Sequence, residues 1–166
     1  MYTLKNNIIK IFIALFLLTS IVSCDEGGNP DAGGTTTKNF AGDWHIIVLE
    51  EDGVTPASDY NLFSTYNASS NDENFWIDDH DSYWELKTKV KATDFKNLKF
   101  SATNAEELYL GYNVNIMNGK ILKNAAHSFG GHVVDSIYFE LEYVDEPGTI
   151  YKFAGHRRTG FLEDEL

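Results

Sequence analysis

The sequence predicts an all-β domain: a single antiparallel meander of roughly eight strands that closes on itself as a barrel. Three observations carry this prediction. Apolar and polar residues alternate strictly through residues 83–92, where Trp84, Leu86, Thr88, Val90 and Ala92 take one side and Glu85, Lys87, Lys89 and Lys91 the other. Turn signals punctuate such runs, above all Asn118-Gly119 and Asp145-Glu146-Pro147-Gly148. No helical pattern long enough to carry a parallel crossover lies between the runs, so strands that are neighbours in sequence become neighbours in the sheet.

The chain of 166 residues opens with Lys5 and Lys10 flanking an apolar run, residues 11–18, too short to span a bilayer. This segment reads as a signal peptide, residues 1–23, and Ile21-Val22-Ser23-Cys24 resembles the lipobox of bacterial lipoproteins. That resemblance implies cleavage before Cys24 and acylation of its thiol and amine. Several acyl chains on one residue hold a protein to a membrane far more firmly than a single chain. Cys24 is the only cysteine, which excludes an internal disulfide, a cysteine-rich zinc site and a cysteine nucleophile. Asp25-Glu26 resembles the acidic export signal of surface lipoproteins in the Bacteroidetes. The expected location is therefore a bacterial outer membrane, with the protein facing the periplasm or the cell surface. Residues 24–38, rich in Gly, Thr, Asn and Asp, form an expected flexible tether, and residues 39–166 the barrel domain.

Formal net charge is −12, and removal of the leader, with two lysines and no acid, takes it to −14. A nucleic acid would be repelled, and no basic stripe offsets this. Anionic membrane surfaces would not attract the chain either, so attachment rests on the acyl group.

Gly42 stands two before Trp44 at the head of the first strand, which continues through His45 to Leu49; this resembles the G-x-W motif of lipocalins and other calycins. In those barrels an arginine of the last strand crosses the tryptophan ring, a role that alternation gives to Arg157 rather than Arg158. Tyr60, Leu62, Phe63 and Tyr66 recur at helical spacing in the long first connection and predict a short helix there. Phe75-Trp76-Ile77 adds a strand. Asp78-Asp79-His80-Asp81 reads as a tight turn, since consecutive side chains do not converge on one metal ion. The lysines of the 83–92 strand are expected to pair across the sheet with Glu140 and Glu142. Shorter strands follow at 98–102, 109–117 and 120–123, the last two joined as a hairpin at Asn118-Gly119. The chain closes with a long hairpin, Ile137, Phe139, Leu141 and Tyr143 on one face of its first strand and Tyr151, Phe153, Gly155 and Arg157 on one face of its second. His156 falls on the outward side and is expected at the surface.

The closing segment, from Asp135-Ser136-Ile137-Tyr138-Phe139-Glu140 through Pro147-Gly148-Thr149-Ile150-Tyr151 to Gly155-His156-Arg157-Arg158-Thr159-Gly160-Phe161, is similar to that of a Bacteroidetes lipoprotein family described as lipid-binding putative hydrolases. Phe75-Trp76 and Tyr83-Trp84-Glu85-Leu86-Lys87 share the resemblance. It implies a calycin-like barrel and an apolar ligand such as a fatty acid or other lipid, and it supplies no catalytic residue.

Inward-facing Trp84, Leu86, Val90, Phe139, Leu141, Tyr151 and Phe153 form the expected ligand lining, with Tyr112 and Tyr143 as polar handles. Rings that line a barrel and rings that fill one are identical in sequence, so both readings stand. Neither a cofactor motif nor a metal site is expected. Ser128, His132 and Asp135 can be written as a triad, but Gly-x-Ser-x-Gly and the α/β architecture that carries it are absent from the sequence. Three readings follow: a lipid-anchored protein that binds a hydrophobic ligand; an accessory subunit of a surface lipoprotein complex, using outward Ile47 and Leu49 against a partner; and an esterase-like hydrolase.

Overall fold

In the computed structural model, which describes residues 33–166, eight antiparallel strands follow one another in chain order and close into a barrel. They are β1 (Gly42–Leu49), β2 (Asn61–Asn67), β3 (Asn74–Asp78), β4 (Lys87–Asp94), β5 (Lys99–Glu106), β6 (Asn113–His127), β7 (Val133–Tyr143) and β8 (Tyr151–Arg157). The predicted signal peptide, Cys24 and most of the tether lie outside the described residues. From Gly34 to Leu166 the chain is one compact unit.

The long first connection carries a strand where helical spacing predicts a helix. Phe63 and Thr65 of β2 alternate inward against Trp44 and Gly42 of β1, a partner that outweighs local spacing. Among the described residues, helix is confined to single 3-10 turns at Lys38–Phe40 and Leu162–Asp164. The strongest regular run also begins later than alternation predicts, because Glu85 takes a positive φ of 47° and holds Tyr83 to Glu85 out of the ladder.

Asn118-Gly119 is not a hairpin. It lies inside the 15-residue β6, where Asn118 adopts φ 53° and the register against β7 shifts between Met117 and Lys120. A left-handed residue followed by glycine serves a bulge as well as a turn. A Cβ on Gly119 would collide with the Phe100 ring and carbonyl oxygen, so the bulge lets Phe100 cover the strand.

The lysine ladder finds its partners on β3, the neighbour that the meander gives it, and at the residue just before that strand. Lys87 pairs with Asp78 at 2.7 Å, Lys89 lies 4.8 Å from the Trp76 ring centroid, and Lys91 pairs with Glu73 at 2.9 Å. Glu140 instead accepts hydrogen bonds from Tyr138 and Asn118, and Glu142 from Asn115 and the Gly148 N–H.

Side chains fill the lumen. Phe139 and Phe153 stack at 4.7 Å, Phe63 meets Phe153 at 5.9 Å, and Phe75 meets Phe100 at 5.4 Å, with Leu86, Val90 and Leu141 fully buried around them. In an up-and-down barrel, the connections leaving odd-numbered strands share one end and those leaving even-numbered strands the other. The second end is plugged. Phe40, from the 3-10 turn ahead of β1, lies 5.0 Å from Phe75 and 5.8 Å from Phe95. Trp44 Nε1 donates to Thr65 Oγ1 at 2.8 Å, and that hydroxyl donates to Phe40 O at 2.6 Å. Arg157 stands opposite Trp44 in the β1–β8 register, with its guanidinium carbon 5.5 Å from the ring centroid. It also donates to Ala41 O at 2.7 Å and to Asp135 Oδ2 at 3.1 Å. Gly42 leaves room for it: a Cβ there would lie 2.9 Å from Nη2. Just upstream, Thr36 gives its N–H and its hydroxyl to Asn71 in the β2–β3 connection, each at 2.9 Å.

His156 points outward but is not at the surface. It pairs in register with His45, and the two imidazoles meet edge to face at 5.4 Å beneath Phe129 and Tyr60. Both histidines are buried, and His45 Nδ1 and His156 Nε2 have no hydrogen-bond partner among the described residues. Burial lowers both values below 6.5; for His156 a charge on His45 adds to this, while at His45 the carboxylates of Glu165 and Asp164 and the Arg158 guanidinium act in opposite senses. Protonation therefore favours the unfolded chain. The stability the pair contributes is present above about pH 6.5 and is lost as pH falls through the depressed folded values. Thermal melts from pH 8 downward should show this loss starting near 6.5, well above the carboxylate range, and a His45→Phe/His156→Phe variant should flatten that limb.

Candidate functional site

The open end of the barrel is built from the connections 50–60, 79–86, 107–112 and 144–150. Two fully buried carboxylates shape it. Asp79 accepts N–H groups from Trp84 and Leu86, each at 3.0 Å, and from Ser82 at 3.4 Å, so the chain after β3 wraps around its own acid. Glu107 does the same for the next loop, taking the N–H groups of Lys87 at 3.0 Å and of Tyr109 and Leu110 at 2.7 Å. Burial raises the Asp79 value against the opposing pull of these amides.

The Asp78-Asp79-His80-Asp81 stretch is a turn, with His80 at φ 62° and Asp81 at φ 57°. Asp78 and Asp79 diverge. Asp79 turns in to the loop, while Asp78 receives Tyr66 Oη at 2.6 Å and Tyr109 Oη and Lys87 Nζ at 2.7 Å. Burial opposes ionisation of Asp78, but the bonds from Lys87 and the two tyrosines outweigh it and hold the carboxyl well below its usual range.

Between the loops lies a cleft of about 500 Å³. Five rings run along it in sequence of contact: Tyr83 to Trp84 at 5.5 Å, Trp84 to Tyr151 at 5.5 Å, Tyr151 to Tyr143 at 6.1 Å and Tyr143 to Tyr112 at 6.0 Å, all edge to face. Leu110 adds an aliphatic wall, and Glu85, Asp145 and Glu146 stand at the rim. Tyr83 is 75% exposed, and Leu110 and Tyr112 are about half exposed. Trp84 Nε1 is buried without a hydrogen-bond partner among the described residues. The Tyr143 hydroxyl is pushed up to about 12, first by burial and then by Glu107, Tyr151, Asp79 and Glu146.

Of the expected lining, Trp84, Tyr112, Tyr143 and Tyr151 border this cleft. Leu86, Val90, Phe139, Leu141 and Phe153 belong to the packed lumen beneath it. Tyr83, Glu85, Leu110, Asp145 and Glu146 were not legible as lining, because alternation turns Tyr83 and Glu85 outward and the others sit in turns. The meander itself carried the missing signal, since it brings all four odd-to-even connections to one end. A second groove, about 580 Å³ over the Asn118 bulge, is lined by groups already paired: Tyr138 Oη and Asn118 Nδ2 each donate to Glu140 at 2.7 Å, and Lys120 lies over the Tyr138 ring.

Ser128, His132 and Asp135 do not assemble. Ser128 Oγ accepts the His132 backbone N–H at 3.0 Å, and the His132 ring leans toward Glu163 at 3.5 Å. Asp135 is taken by Lys123 at 2.9 Å, Asn124 N–H at 3.0 Å and Arg157 at 3.1 Å. Outward Ile47 and Leu49 are half-buried by neighbouring strands and loops.

A family model described as "Lipid-binding putative hydrolase" matches residues 29–162. Among curated proteins, nothing matches the chain.

Asp79 organises the loop that carries Trp84, so its loss should be felt in both stability and the cleft. Asp79→Ala leaves three amides without their acceptor and is expected to cost about 1–3 kcal/mol in chemical denaturation. A red shift of the folded-state tryptophan emission should accompany it as Trp84 meets water.

Proposed function

This chain belongs to the lipid-binding putative hydrolase family, and from that premise we propose that it binds a lipid at the mouth of a filled barrel. The observation that carries this reading is the contiguous arc of five rings beside open space, above a lumen occupied by the buried side chains of the core. An eight-stranded barrel either encloses one small ligand or is filled by its own side chains. With the second case realised, apolar cargo is left the mouth. There Leu110 and the rings supply apolar surface, and the tyrosine hydroxyls and Trp84 Nε1 supply polar contacts, the mixture typical of a small-molecule site.

The proposal extends to where the protein works. Acylation at Cys24 would tether the barrel to a bacterial outer membrane, facing the periplasm or the outside, and place the mouth within reach of membrane lipid. No chemistry is assigned: the three residues that could be written as a triad serve a loop and the barrel seam.

Native mass spectrometry with a single-chain zwitterionic phospholipid should find one ligand per barrel. Trp84→Ala and Tyr151→Ala should each weaken binding about tenfold, the worth of one well-placed ring. Tyr138→Ala, on the outer wall, should leave it unchanged. Absence of uptake, or loss of affinity equal for Tyr138 and Tyr151, would overturn the reading. For the anchor, Cys24→Ser should move the protein from the membrane to the soluble fraction of the producing cell, and retention in the membrane would refute acylation at that residue.

A further inference from the structure

We propose that the cleft selects a lipid whose headgroup carries a positively charged ammonium; this rests on the lipid-binding reading above and names the class of lipid. Among the described residues, the lining contains Glu85, Asp145 and Glu146 and not one lysine, arginine or histidine. Elsewhere on the barrel four acids are answered by cations: Glu73 by Lys91, Asp78 by Lys87, Asp135 by Lys123 and Arg157, Glu165 by Arg158. None of the ion pairs among the described residues involves the three acids at the mouth.

The floor deepens the negative field. Asp79 and Glu107 are both 0% exposed, and their hydrogen bonds come from backbone N–H groups, which satisfy the oxygens without cancelling the charge. Their influence on the cleft is visible at Tyr143, whose hydroxyl is held up near 12 by burial and then by surrounding acids, among them Glu107, Asp79 and Glu146.

Rings and acids call for the same ligand. An aromatic face attracts a cation through its quadrupole, tryptophan most strongly, and a cage of rings with nearby carboxylates is suited to an ammonium group, quaternary ones included. A fatty-acid carboxylate or a purely anionic headgroup would enter beside Glu85, Asp145 and Glu146, with no cation among the described lining residues to receive it. The rings and Leu110 supply the apolar surface for the methylenes next to the headgroup, which is why a lipid is preferred over a free amine.

Calorimetric titration of the intact folded chain tests this with four probes: lysophosphatidylcholine, alkyltrimethylammonium, lysophosphatidylglycerol and a fatty acid, matched in chain length and kept below aggregation, with free choline as a fifth. The two ammonium lipids should bind at least about tenfold more tightly than the two anionic ones, and added salt should shrink that ratio. A Glu85→Gln/Asp145→Asn/Glu146→Gln variant should shrink the ratio while still binding lipid, and an unchanged ratio would overturn the part assigned to these acids. Equal or tighter binding of the fatty acid and lysophosphatidylglycerol would overturn headgroup selection and leave lipid binding standing. Failure of every lipid would overturn both. Choline binding as tightly as lysophosphatidylcholine would overturn the choice of a lipid as the source of the ammonium.

Discussion

The barrel depends on the seam where its first and last strands meet. Six facing pairs, from Trp44 against Arg157 to Leu49 against Lys152, close the sheet and leave no free edge. One side chain gathers the plugged end of that seam: Arg157 covers Trp44, takes a carbonyl from the segment before β1 and takes a carboxylate from β7. Each contact is worth about 1 kcal/mol or a little more on its own. Their joint effect is topological, since the guanidinium reaches the chain before β1 and two further strands. Gly42 and Gly155 admit this close approach, the one beside the guanidinium and the other beside the backbone of His45 and Ile46.

Closure at this strand number decides where function can sit. A small barrel leaves an interior that side chains can occupy, and here the phenylalanines of β2, β3, β5, β7 and β8 pack within it. Burial of that many rings drives folding, yet it removes the lumen as a compartment. The plugged end is held by Phe40 and the Trp44–Thr65 hydrogen bond, and the ring-lined cleft opens among the loops of the other end. Those loops are themselves stiffened by buried acids that bond to backbone rather than to cations. One arrangement therefore fixes the loop conformation and sets the sign of the field in the cleft.

How much of this was readable in advance follows from which interactions are local. Alternation identified the closing hairpin and the inward set of β4, because a strand with one wet face and one dry face must alternate. The pairing of Trp44 with Arg157 was readable too, from a short motif and parity along the last strand. Three features were not. Tyr60, Leu62, Phe63 and Tyr66 are spaced as a helix would space them, and only the neighbouring β1 makes Phe63 and Thr65 strand residues. Asn118-Gly119 has the chemistry of a hairpin, and the choice between turn and bulge was made by Phe100, a residue from another strand. His156 was placed on the correct face, but its cover, Phe129 and Tyr60, comes from two distant loops. The cleft was half legible: Trp84, Tyr112, Tyr143 and Tyr151 were identified, whereas Glu85 looked like an outward strand residue and Asp145 and Glu146 like ordinary turn residues.

Thr36 and Asn71 have a mechanical meaning. The two hydrogen bonds between them fasten the polypeptide to the β2–β3 connection six residues before β1 begins. A tug transmitted along the backbone from the amino-terminal side is borne first by this clasp and by the Phe40 wedge behind it. Load is thus shunted into the body of the sheet, and the strand whose peeling would unzip the ring is spared.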